Sequence, residues 1–485
     1  MLCSCGTKDS PEEGETAPVY EDRAEQKIVK ITLPYSSADT LNPFTATGSE
    51  NLALCNLYCQ PLFDIKSDYS VEPVIAEAYE YDGRNINVTL RSVAFSDSSL
   101  LTPRDVVYSF ELAKQSPAFS QRLKNVEDAY MKGERVVFTL TEPDVLGVNA
   151  LCFPVVKFGS AWSDEIMPIG SGVFVLTEPE KMTLNPNSQI ASEINTVELY
   201  NVRKLEYITN ELEIGNFNFL FDDFSEGAYK RIVAANKAIT LNNLVFLELN
   251  CNNKVLASSA MRTAVYYAVD KDEVSATAYQ GYSKATSVPF NPDLYLLEGV
   301  ETPDVKGDRS KCATILSKLG YNYKNTKGVL TNSSDSLEFR LLVNNNNAFR
   351  TAAAYKIASE LNAQGFGINV EAVDFDTYTQ RIASGDFDMY LGEVKLTENM
   401  DLSVFSSGSA STGIDKSSSF FGVYNSFKQG ATSMDVMLDS FYDTMPFVPV
   451  CYRMGLAAYS GEYKPDFSYA PFNIYGNIEN WEASK

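Results

Sequence analysis

The fold class of this chain is decided by residues 337–394, LEFRLLVNNNNAFRTAAAYKIASELNAQGFGINVEAVDFDTYTQRIASGDFDMYLGEV. Apolar residues alternate over 337–343 and then recur at helical spacing up to Gly365, a residue type that commonly ends helices. A second alternation covers 368–372, and a third predicted strand covers 388–394 after another short helix. The pattern predicts a strand–helix–strand–helix–strand unit.

Such a unit forms a parallel, right-handed α/β sheet. We expect Asp376 to cap its second helix, because aspartate side chains accept hydrogen bonds from the free backbone amides of a first helical turn. Open parallel sheets bind ligands at the carboxyl ends of their strands. The segment that follows Val394 is therefore a candidate binding site on geometry alone.

Composition excludes several classes of function. The chain has 485 residues, enough for roughly two to four folded units. Its net charge of −23 argues against a nucleic-acid partner, because phosphate binding needs a basic face. Histidine is absent, which excludes Ser-His-Asp and Cys-His catalysis, HExxH zinc sites and histidine-ligated haem or nickel. We expect no cofactor and no metal.

The cysteines do not form a zinc pattern, because no CxxC pair occurs among the eight of them. Cys55 and Cys59 would share one face of a helix, so a zinc or redox pair is the alternative to two small core residues. We expect the internal cysteines to be buried thiols.

The N-terminal residues Leu2-Cys3-Ser4-Cys5 resemble the end of a bacterial lipobox, in which a lipidated cysteine follows two small residues. Cys5 fits that spacing better than Cys3, so we predict lipidation at Cys5. Residues 6–26 are rich in Glu, Asp, Pro and Gly and cannot bury a core. We predict a disordered tether over 1–26.

Two further motifs predict local structure. Thr102-Pro103-Arg104-Asp105 has the signature of a helix start, with proline at the first helical position and a capping-box pair around it. Residues 168–176, PIGSGVFVL, predict a tight glycine turn that leads into a strand. They lack the third glycine, the lysine and the following helix of a phosphate loop.

Five segments together resemble the family 5 extracellular solute-binding proteins of bacterial ABC importers, the oligopeptide- and dipeptide-binding type. Their order and spacing carry the resemblance, which runs from about Ile28 to Trp481. The segments are 93–113 (VAFSDSSLLTPRDVVYSFELA), 168–176, 249–274 (LNCNNKVLASSAMRTAVYYAVDKDEV), 365–393 and 445–453 (MPFVPVCYR).

The resemblance implies a bilobal α/β fold of the periplasmic-binding-protein type, in its type II, large cluster C-like form with an extra subdomain. Two strands that cross between the lobes would serve as the hinge. The expected limits are 27–61 with 166–247 and 453–485 for lobe I, 62–165 for the inserted subdomain, and 248–452 for lobe II.

The resemblance also places the ligand's anchor. In peptide binders of the family a tryptophan precedes the acid that holds the peptide's α-ammonium, and here that region reads KLTENMDL over 395–402. Glu398 falls on that acid, whereas the tryptophan of the family's pattern is missing here. Asp401 falls on a second acid, or it caps a helix that starts at Leu402.

Four more residues are candidates for ligand contact. Arg453 ends an apolar strand and would bind a carboxylate, with a structural ion pair as the equal alternative. Tyr390, Asn250 and Asn42 are further candidates for the pocket wall.

The resulting expectation is a receptor without catalysis, tethered by lipid to the extracellular face of the cell membrane. It would act as a monomer, bind a small solute, most simply a peptide, and deliver it to an ABC permease. The alternatives are an oligosaccharide or metal-chelate receptor, a receptor that signals to a membrane sensor, and a glycosidase that uses Glu398 and Asp401.

Overall fold

The computed structural model describes residues 29–164, 167–202, 208–225 and 231–484. The predicted tether over 1–26 and the predicted lipidation of Cys5 lie outside these residues.

In chain order, the β-strands of the described residues are β1 Lys30–Tyr35, β2 Gln60–Pro61, β3 Phe63–Ile65, β4 Val71–Pro73, β5 Ala76–Tyr81, β6 Asn85–Leu90, β7 Val126–Lys132, β8 Arg135–Leu140, β9 Pro154–Val155, β10 Phe174–Glu178, β11 Lys181–Leu184, β12 Thr196–Asn201, β13 Phe219–Asp222, β14 Ala235–Leu249, β15 Ser283–Ala285, β16 Tyr323–Lys324, β17 Leu330–Thr331, β18 Glu338–Asn344, β19 Gly367–Val373, β20 Met389–Lys395, β21 Val448–Tyr459, β22 Tyr463–Lys464 and β23 Glu482–Ala483.

The α-helices of the same residues are α1 Ser49–Tyr58, α2 Pro103–Gln115, α3 Ile208–Glu213, α4 Ser259–Ala268, α5 Lys271–Ala278, α6 Arg309–Lys318, α7 Ala348–Ala363, α8 Phe375–Ser384, α9 Ser403–Ser406, α10 Ser419–Lys428 and α11 Met434–Thr444. Short 3-10 helices cover Gly147–Leu151, Tyr295–Leu297, Pro471–Asn473 and Ile478–Asn480. Within the described ranges, every helix is too short or too polar to cross a lipid bilayer.

The predicted strand–helix–strand–helix–strand unit is confirmed as β18–α7–β19–α8–β20. Strand β18 lies between β20 and β19 and pairs with both in parallel. The predicted cap of α8 was wrong by two residues: the side chain of Asp374, not Asp376, accepts a 2.9 Å hydrogen bond from the amide of Thr377. Helix α8 begins at Phe375, so only the residue before it can occupy the cap position.

Two long strands run from one half of the molecule into the other. Strands β14 and β21 are antiparallel and pair from Ala235 opposite Tyr459 to Leu247 opposite Val448. At one end β21 also pairs with β13, and at the other end β14 pairs with β20 of the parallel unit. The β14–β21 register shifts between Thr240 and Leu244, which locally loosens the ladder.

Buried apolar side chains in the described part of the chain form two separate cores. The first contains Ile31 and Phe138 and lies under the sheets β1-β12-β11-β10 and β5-β6-β8-β7. The second contains Leu341 and Leu391 and lies around the large mixed sheet. This arrangement agrees with the expected bilobal α/β fold; the residue limits of the lobes stay predictions.

Two local motifs have the predicted form. The amide of Thr102 donates a 2.8 Å hydrogen bond to the carboxylate of Asp105 at the start of α2. The glycine turn packs on the end of α1, where the amide of Gly172 donates to the carbonyl of Tyr58 at 2.9 Å. A Cβ atom at Gly172 would lie only 2.4 Å from the carbonyl oxygen of Leu57, which explains the glycine without a phosphate.

Candidate functional site

The segment after β20 is a buried turn at the carboxyl end of the parallel strands, where the sequence predicted a site. The amide of Leu396 still bonds the carbonyl of Asn242 at 2.9 Å, and the chain then turns through Thr397 to Met400. Met400 has a φ of 51°, in the left-handed region. This turn points Glu398 toward the segment between α2 and β7.

The carboxylate of Glu398 forms a bidentate pair with Arg122 of that segment. Nε of Arg122 donates to Oε2 and Nη2 donates to Oε1, both at 2.6 Å. Each side chain is only 8% exposed. Two parallel charge-assisted hydrogen bonds in a buried place make this pair a strong polar contact between the two halves.

Groups other than Glu398 also contact the guanidinium of Arg122. Its Nη1 donates to the carbonyl of Cys152 at 2.9 Å. The rings of Phe119 and Phe472 lie 5.5 and 4.9 Å from the guanidinium carbon, within the range of a cation–π contact. Arg122 is therefore positioned by groups other than Glu398.

Further hydrogen bonds surround the ion pair. The amide group of Asn399 donates to the carboxylate of Asp144 at 2.8 Å, and that of Asn149 donates to the carbonyl of Glu398 at 3.3 Å. The amide of Val145 bonds the carbonyl of Lys428 at 2.8 Å. Burial raises the pKa of Asp144, and Lys428 and Asn399 offset this only in part.

Apolar contacts accompany these bonds. Ile65, Tyr69, Leu146 and Cys152 lie within the predicted insert 62–165, and their side chains join the core around the large mixed sheet. The two halves thus touch through a continuous patch around Glu398, and we call this patch the interlobe contact: Tyr69, Arg122, Asp144, Leu146, Asn149, Cys152, Glu398, Asn399 and Lys428.

Asp401 lies on the same turn as Glu398 but faces its own lobe. Its carboxylate accepts from the amide of Ser403 at 3.1 Å and from the hydroxyl of Tyr424 at 3.2 Å, and it pairs with Lys428 at 3.4 Å. Burial raises the pKa of Asp401, but Lys428 and Ser403 outweigh burial and bring it below its usual range. The predicted helix cap was wrong: α9 begins at Ser403, so its cap position is Leu402, and Asp401 instead accepts from the amide two residues further along the chain.

Arg453 takes part in a structural ion pair, as the second interpretation of the sequence allowed. Its Nη1 donates to Glu393 at 2.8 Å, and its Nη2 donates to the carbonyl of Asp223. Asn243 donates to the same oxygen of Glu393 at 2.8 Å, and Nε of Arg350 lies 3.5 Å from the other oxygen. The cluster ties β14, β20 and β21 together.

The remaining candidates make contacts within the fold. The ring of Tyr390 packs edge-on against Phe387 at 5.0 Å, and the amide group of Asn250 donates to the carbonyl of Phe387 at 2.8 Å. The side chain of Asn42 accepts from the amide of Phe44 at 3.1 Å in a buried turn. Ligand-binding roles for all six candidates stay predictions; of these residues, Glu398 is the one at the interlobe contact.

Sequence reasoning missed Arg122, Asp144, Asn149 and Asn399. Arg122 lies in the polar stretch SQRLKN over 120–125, which has no periodicity to mark it. The sequence offered only an indirect signal for Arg122: a carboxylate buried at a strand end, such as Glu398, requires a cationic partner, but the sequence does not say which one.

No cluster of three or more His, Cys, Asp or Glu side chains able to hold a metal ion occurs in the described part of the chain. Cys55, Cys59, Cys152, Cys312 and Cys451 are buried free thiols, as expected, and Cys251 is partly exposed. Burial raises the pKa of Cys55 to about 12, so the thiol is not reactive near neutral pH.

Comparisons with known proteins agree with this architecture. The sequence model of the bacterial extracellular solute-binding proteins, family 5 Middle, matches residues 70–415. The probable peptide-binding protein YejA of Agrobacterium fabrum is 22% identical over 434 residues, which cover 72% of this chain and 70% of YejA. The oligopeptide-binding protein AppA of Bacillus subtilis is 21% identical over 329 residues, or 61% of this chain and 60% of AppA.

A solved structure shows the same fold. The crystal structure of NikA from Brucella suis in complex with Fe(III)-EDTA matches with a TM-score of 0.69 over 94% of this chain and 100% of the NikA chain, at 18% identity. YejA and AppA are both named as binding proteins.

Proposed function

Since this chain belongs to family 5 of the bacterial extracellular solute-binding proteins, we propose that it captures a short peptide between its two lobes and delivers it to an ABC importer. The observation that carries the proposal is Glu398, a buried carboxylate at the carboxyl end of β20 that faces the opposite lobe. In a site without bulk water, such a carboxylate binds a ligand's ammonium with strong, charge-assisted hydrogen bonds.

The long strands β14 and β21 support a capture mechanism. They connect the two halves and carry a register shift at Thr240 to Leu244. Hinge closure of two lobes over a ligand needs connecting segments of this kind, which absorb a change of backbone angles while each lobe moves as a body. The ligand would enter while the interlobe contact is open.

The family favours a receptor over an enzyme. A glycosidase mechanism needs two carboxylates that flank one bond. Glu398 is paired with Arg122, and Asp401 with Lys428 and Ser403. We therefore propose a non-catalytic protein, monomeric, held at the extracellular face of the membrane by a lipid on Cys5.

A metal chelate is the second candidate ligand. NikA, whose fold is similar, is described in complex with Fe(III)-EDTA. A chelate of that type presents carboxylates, and Arg122 is a buried cation at the interlobe contact that would bind them.

A thermal-shift screen tests the proposal. The purified protein is heated with peptides of two to five residues, with sugars and with metal chelates of polycarboxylates. A ligand at about 100 times its dissociation constant adds roughly 2.7 kcal/mol to the free energy of unfolding, so we expect a shift of a few degrees with peptides. A shift with chelates or sugars alone would support a receptor function but contradict a peptide as its ligand.

A further inference from the structure

We propose that Tyr69 is a positioning residue for the ligand anchor, which fixes the turn that carries Glu398 through two chains of hydrogen bonds. Tyr69 lies in the turn between β3 and β4 and acts through other residues of the protein, without touching the ligand. The inference rests on the proposed function, because it names a residue on which the ammonium-binding geometry of Glu398 depends.

The backbone of Tyr69 has a conformation that favours glycine. Its φ is 66°, in the left-handed region, where a bulky aromatic residue is an outlier. Backbone bonds already close the turn, because the amide of Tyr69 donates to the carbonyl of Lys66 and the amide of Lys66 to the carbonyl of Ser70, both at 2.9 Å. Glycine would adopt this turn without strain. Such strain persists where surrounding contacts outweigh it, so the tyrosine side chain must make contacts that a glycine cannot.

The hydroxyl of Tyr69 makes the first chain of hydrogen bonds. It donates to the side-chain carbonyl of Asn242 and accepts from the side-chain amide of Asn291 at 2.7 Å. Asn242 lies within the register shift of β14. Its backbone carbonyl accepts the 2.9 Å bond from the amide of Leu396, at which the turn toward Glu398 begins. The hydroxyl therefore holds the residue from which that turn starts.

The backbone carbonyl of Tyr69 makes the second chain. It accepts from the side-chain amide of Asn149 at 2.8 Å, and the same amide group donates to the carbonyl of Glu398 at 3.3 Å. Asn149 and Asn242 are 3% and 5% exposed, so little water competes for these bonds. The two chains connect Tyr69 to both ends of the segment 396–398.

Burial makes this arrangement rigid. The ring of Tyr69 is 2% exposed and belongs to the core around the large mixed sheet. Asn291, which is fully buried, also donates to the carbonyl of Leu241 at 3.2 Å. Loss of the hydroxyl would leave the buried side-chain oxygen of Asn242 without this donor, at the free-energy cost of an unsatisfied polar group. The backbone around Asn242 would relax, and the turn that starts from it would shift.

A shift of this turn acts on one part of the ligand. Charge-assisted hydrogen bonds depend on distance and angle, so a displaced Glu398 binds an ammonium less well. Contacts with the rest of the ligand depend less on this carboxylate. We therefore expect Tyr69 to control how strongly the protein prefers a free ammonium over an acetylated amine.

The first arm of the test needs no ligand. Hydrogen–deuterium exchange of the amides of residues 396–400 is measured in the wild type, Tyr69→Phe, Tyr69→Gly and Tyr266→Phe. Tyr266→Phe is the matched control, because Tyr266 is a buried tyrosine of α4 whose hydroxyl donates to the carbonyl of Ser287 at 3.2 Å. It loses the same chemical group at another place in the fold.

In Tyr69→Phe we expect these amides to exchange roughly fivefold faster, the factor that corresponds to one net hydrogen bond of about 1 kcal/mol. Strands β18 and β19 should exchange as in the wild type. Tyr69→Gly removes the ring as well and should show a larger increase over 396–400. Tyr266→Phe should leave the exchange of this segment unchanged.

The second arm titrates trialanine and N-acetyltrialanine into the same proteins by calorimetry. We expect the preference for trialanine to fall by roughly fivefold in Tyr69→Phe and to stay unchanged in Tyr266→Phe. A purely structural role of Tyr69 would lower the melting temperature and leave this preference as it is, so the ratio of the two affinities separates positioning from stability.

The outcomes distinguish this inference from the proposed function. Unchanged exchange over 396–400 in both Tyr69 variants overturns the inference, and so does an unchanged preference for trialanine in Tyr69→Phe. Exchange in Tyr69→Gly as slow as in the wild type would show that Tyr69 serves the turn alone. Absence of peptide binding by the wild type contradicts peptide capture, and the exchange arm then still decides whether Tyr69 positions the turn of Glu398.

Discussion

The guanidinium of Arg122 and the carboxylate of Glu398 form two hydrogen bonds of 2.6 Å between residues that lie 276 positions apart. The pair joins the segment between α2 and β7 to the end of the parallel sheet and lies inside the apolar patch to which Tyr69 and Leu146 contribute. The protein's own charges hold the halves together at the place where the family's ligand anchor is expected.

Breaking this pair should open the unliganded protein. In Glu398→Gln the guanidinium of Arg122 loses its counterion, and separation of the lobes lets water solvate it, which relieves the cost of an unpaired buried charge. We expect a larger radius of gyration than the wild type in small-angle X-ray scattering. Glu338→Gln is the control, because Glu338 forms an exposed pair with Lys327. An unchanged radius in Glu398→Gln would contradict the role of the pair in holding the lobes together.

Replacing Glu248 should stabilise the protein. Both carboxylate oxygens are buried in β14 without a hydrogen bond of good geometry among the described residues. Burial, outweighing the nearby Leu249 amide and Arg262, raises the pKa of Glu248 well above its usual range. Because a buried unsatisfied polar group costs about 1–3 kcal/mol, Glu248→Met should raise the free energy of unfolding by a similar amount in urea titrations. A loss of stability would show that Glu248 has a partner that matters.

Asp64 should make stability depend on pH. Burial raises the pKa of Asp64 to about 8, with smaller contributions from Glu479 and Glu72. The folded protein therefore keeps a proton that the unfolded chain loses near pH 4. The contribution of Asp64 is fully present below about pH 4 and is lost as pH rises through about 8, at no more than about 1.4 kcal/mol per pH unit.

Asp64→Asn isolates this dependence. The amide still accepts the hydrogen bond that Asn473 donates to Asp64 at 2.5 Å, but it does not titrate. Urea unfolding of both proteins at pH 5 and 7.5 should show the variant gaining stability relative to the wild type as pH rises. A difference that is the same at both pH values would mean that Asp64 titrates normally.

The glycine turn gives a matched pair of substitutions. Gly172→Ala would place a Cβ atom 2.4 Å from the carbonyl oxygen of Leu57 and 2.5 Å from the carbonyl carbon of Tyr58. Since both neighbours are backbone, the overpacking should cost about 1–3 kcal/mol or more. At Gly422 in α10 the added Cβ meets nothing within 4 Å, so Gly422→Ala should stabilise the helix by about 0.5–1 kcal/mol. Melting temperatures that move the opposite way would refute the packing described for the turn.

Local periodicity was enough to predict the parallel unit, because β18, α7, β19, α8 and β20 each bury one face with its own period. It was not enough to choose between Asp374 and Asp376 as the cap of α8, since two acids lie within one residue of the helix start. Periodicity predicts that a helix or strand exists more reliably than it predicts the residues at which that element begins and ends.

The site was less accessible to prediction. The family resemblance and the expectation that ligands bind at the carboxyl ends of parallel strands together singled out Glu398 as a candidate. No local sequence pattern links Glu398 to Arg122, because the two residues come into contact only when the two halves of the molecule have folded. The same holds for Arg453 on β21, whose partner Glu393 lies 60 residues away on β20, with β14 between the two strands. Partners across lobes are a property of the tertiary fold and leave no trace in short-range spacing.

The most direct measurement is a calorimetric titration of trialanine into the wild type, Glu398→Gln and the Glu338→Gln control. Our account predicts one saturable site in the wild type and in the control, and binding at least ten times weaker in Glu398→Gln, because the ammonium loses its charged partner. Equal affinity in all three proteins would contradict Glu398 as the ligand's anchor and with it the central claim about this site.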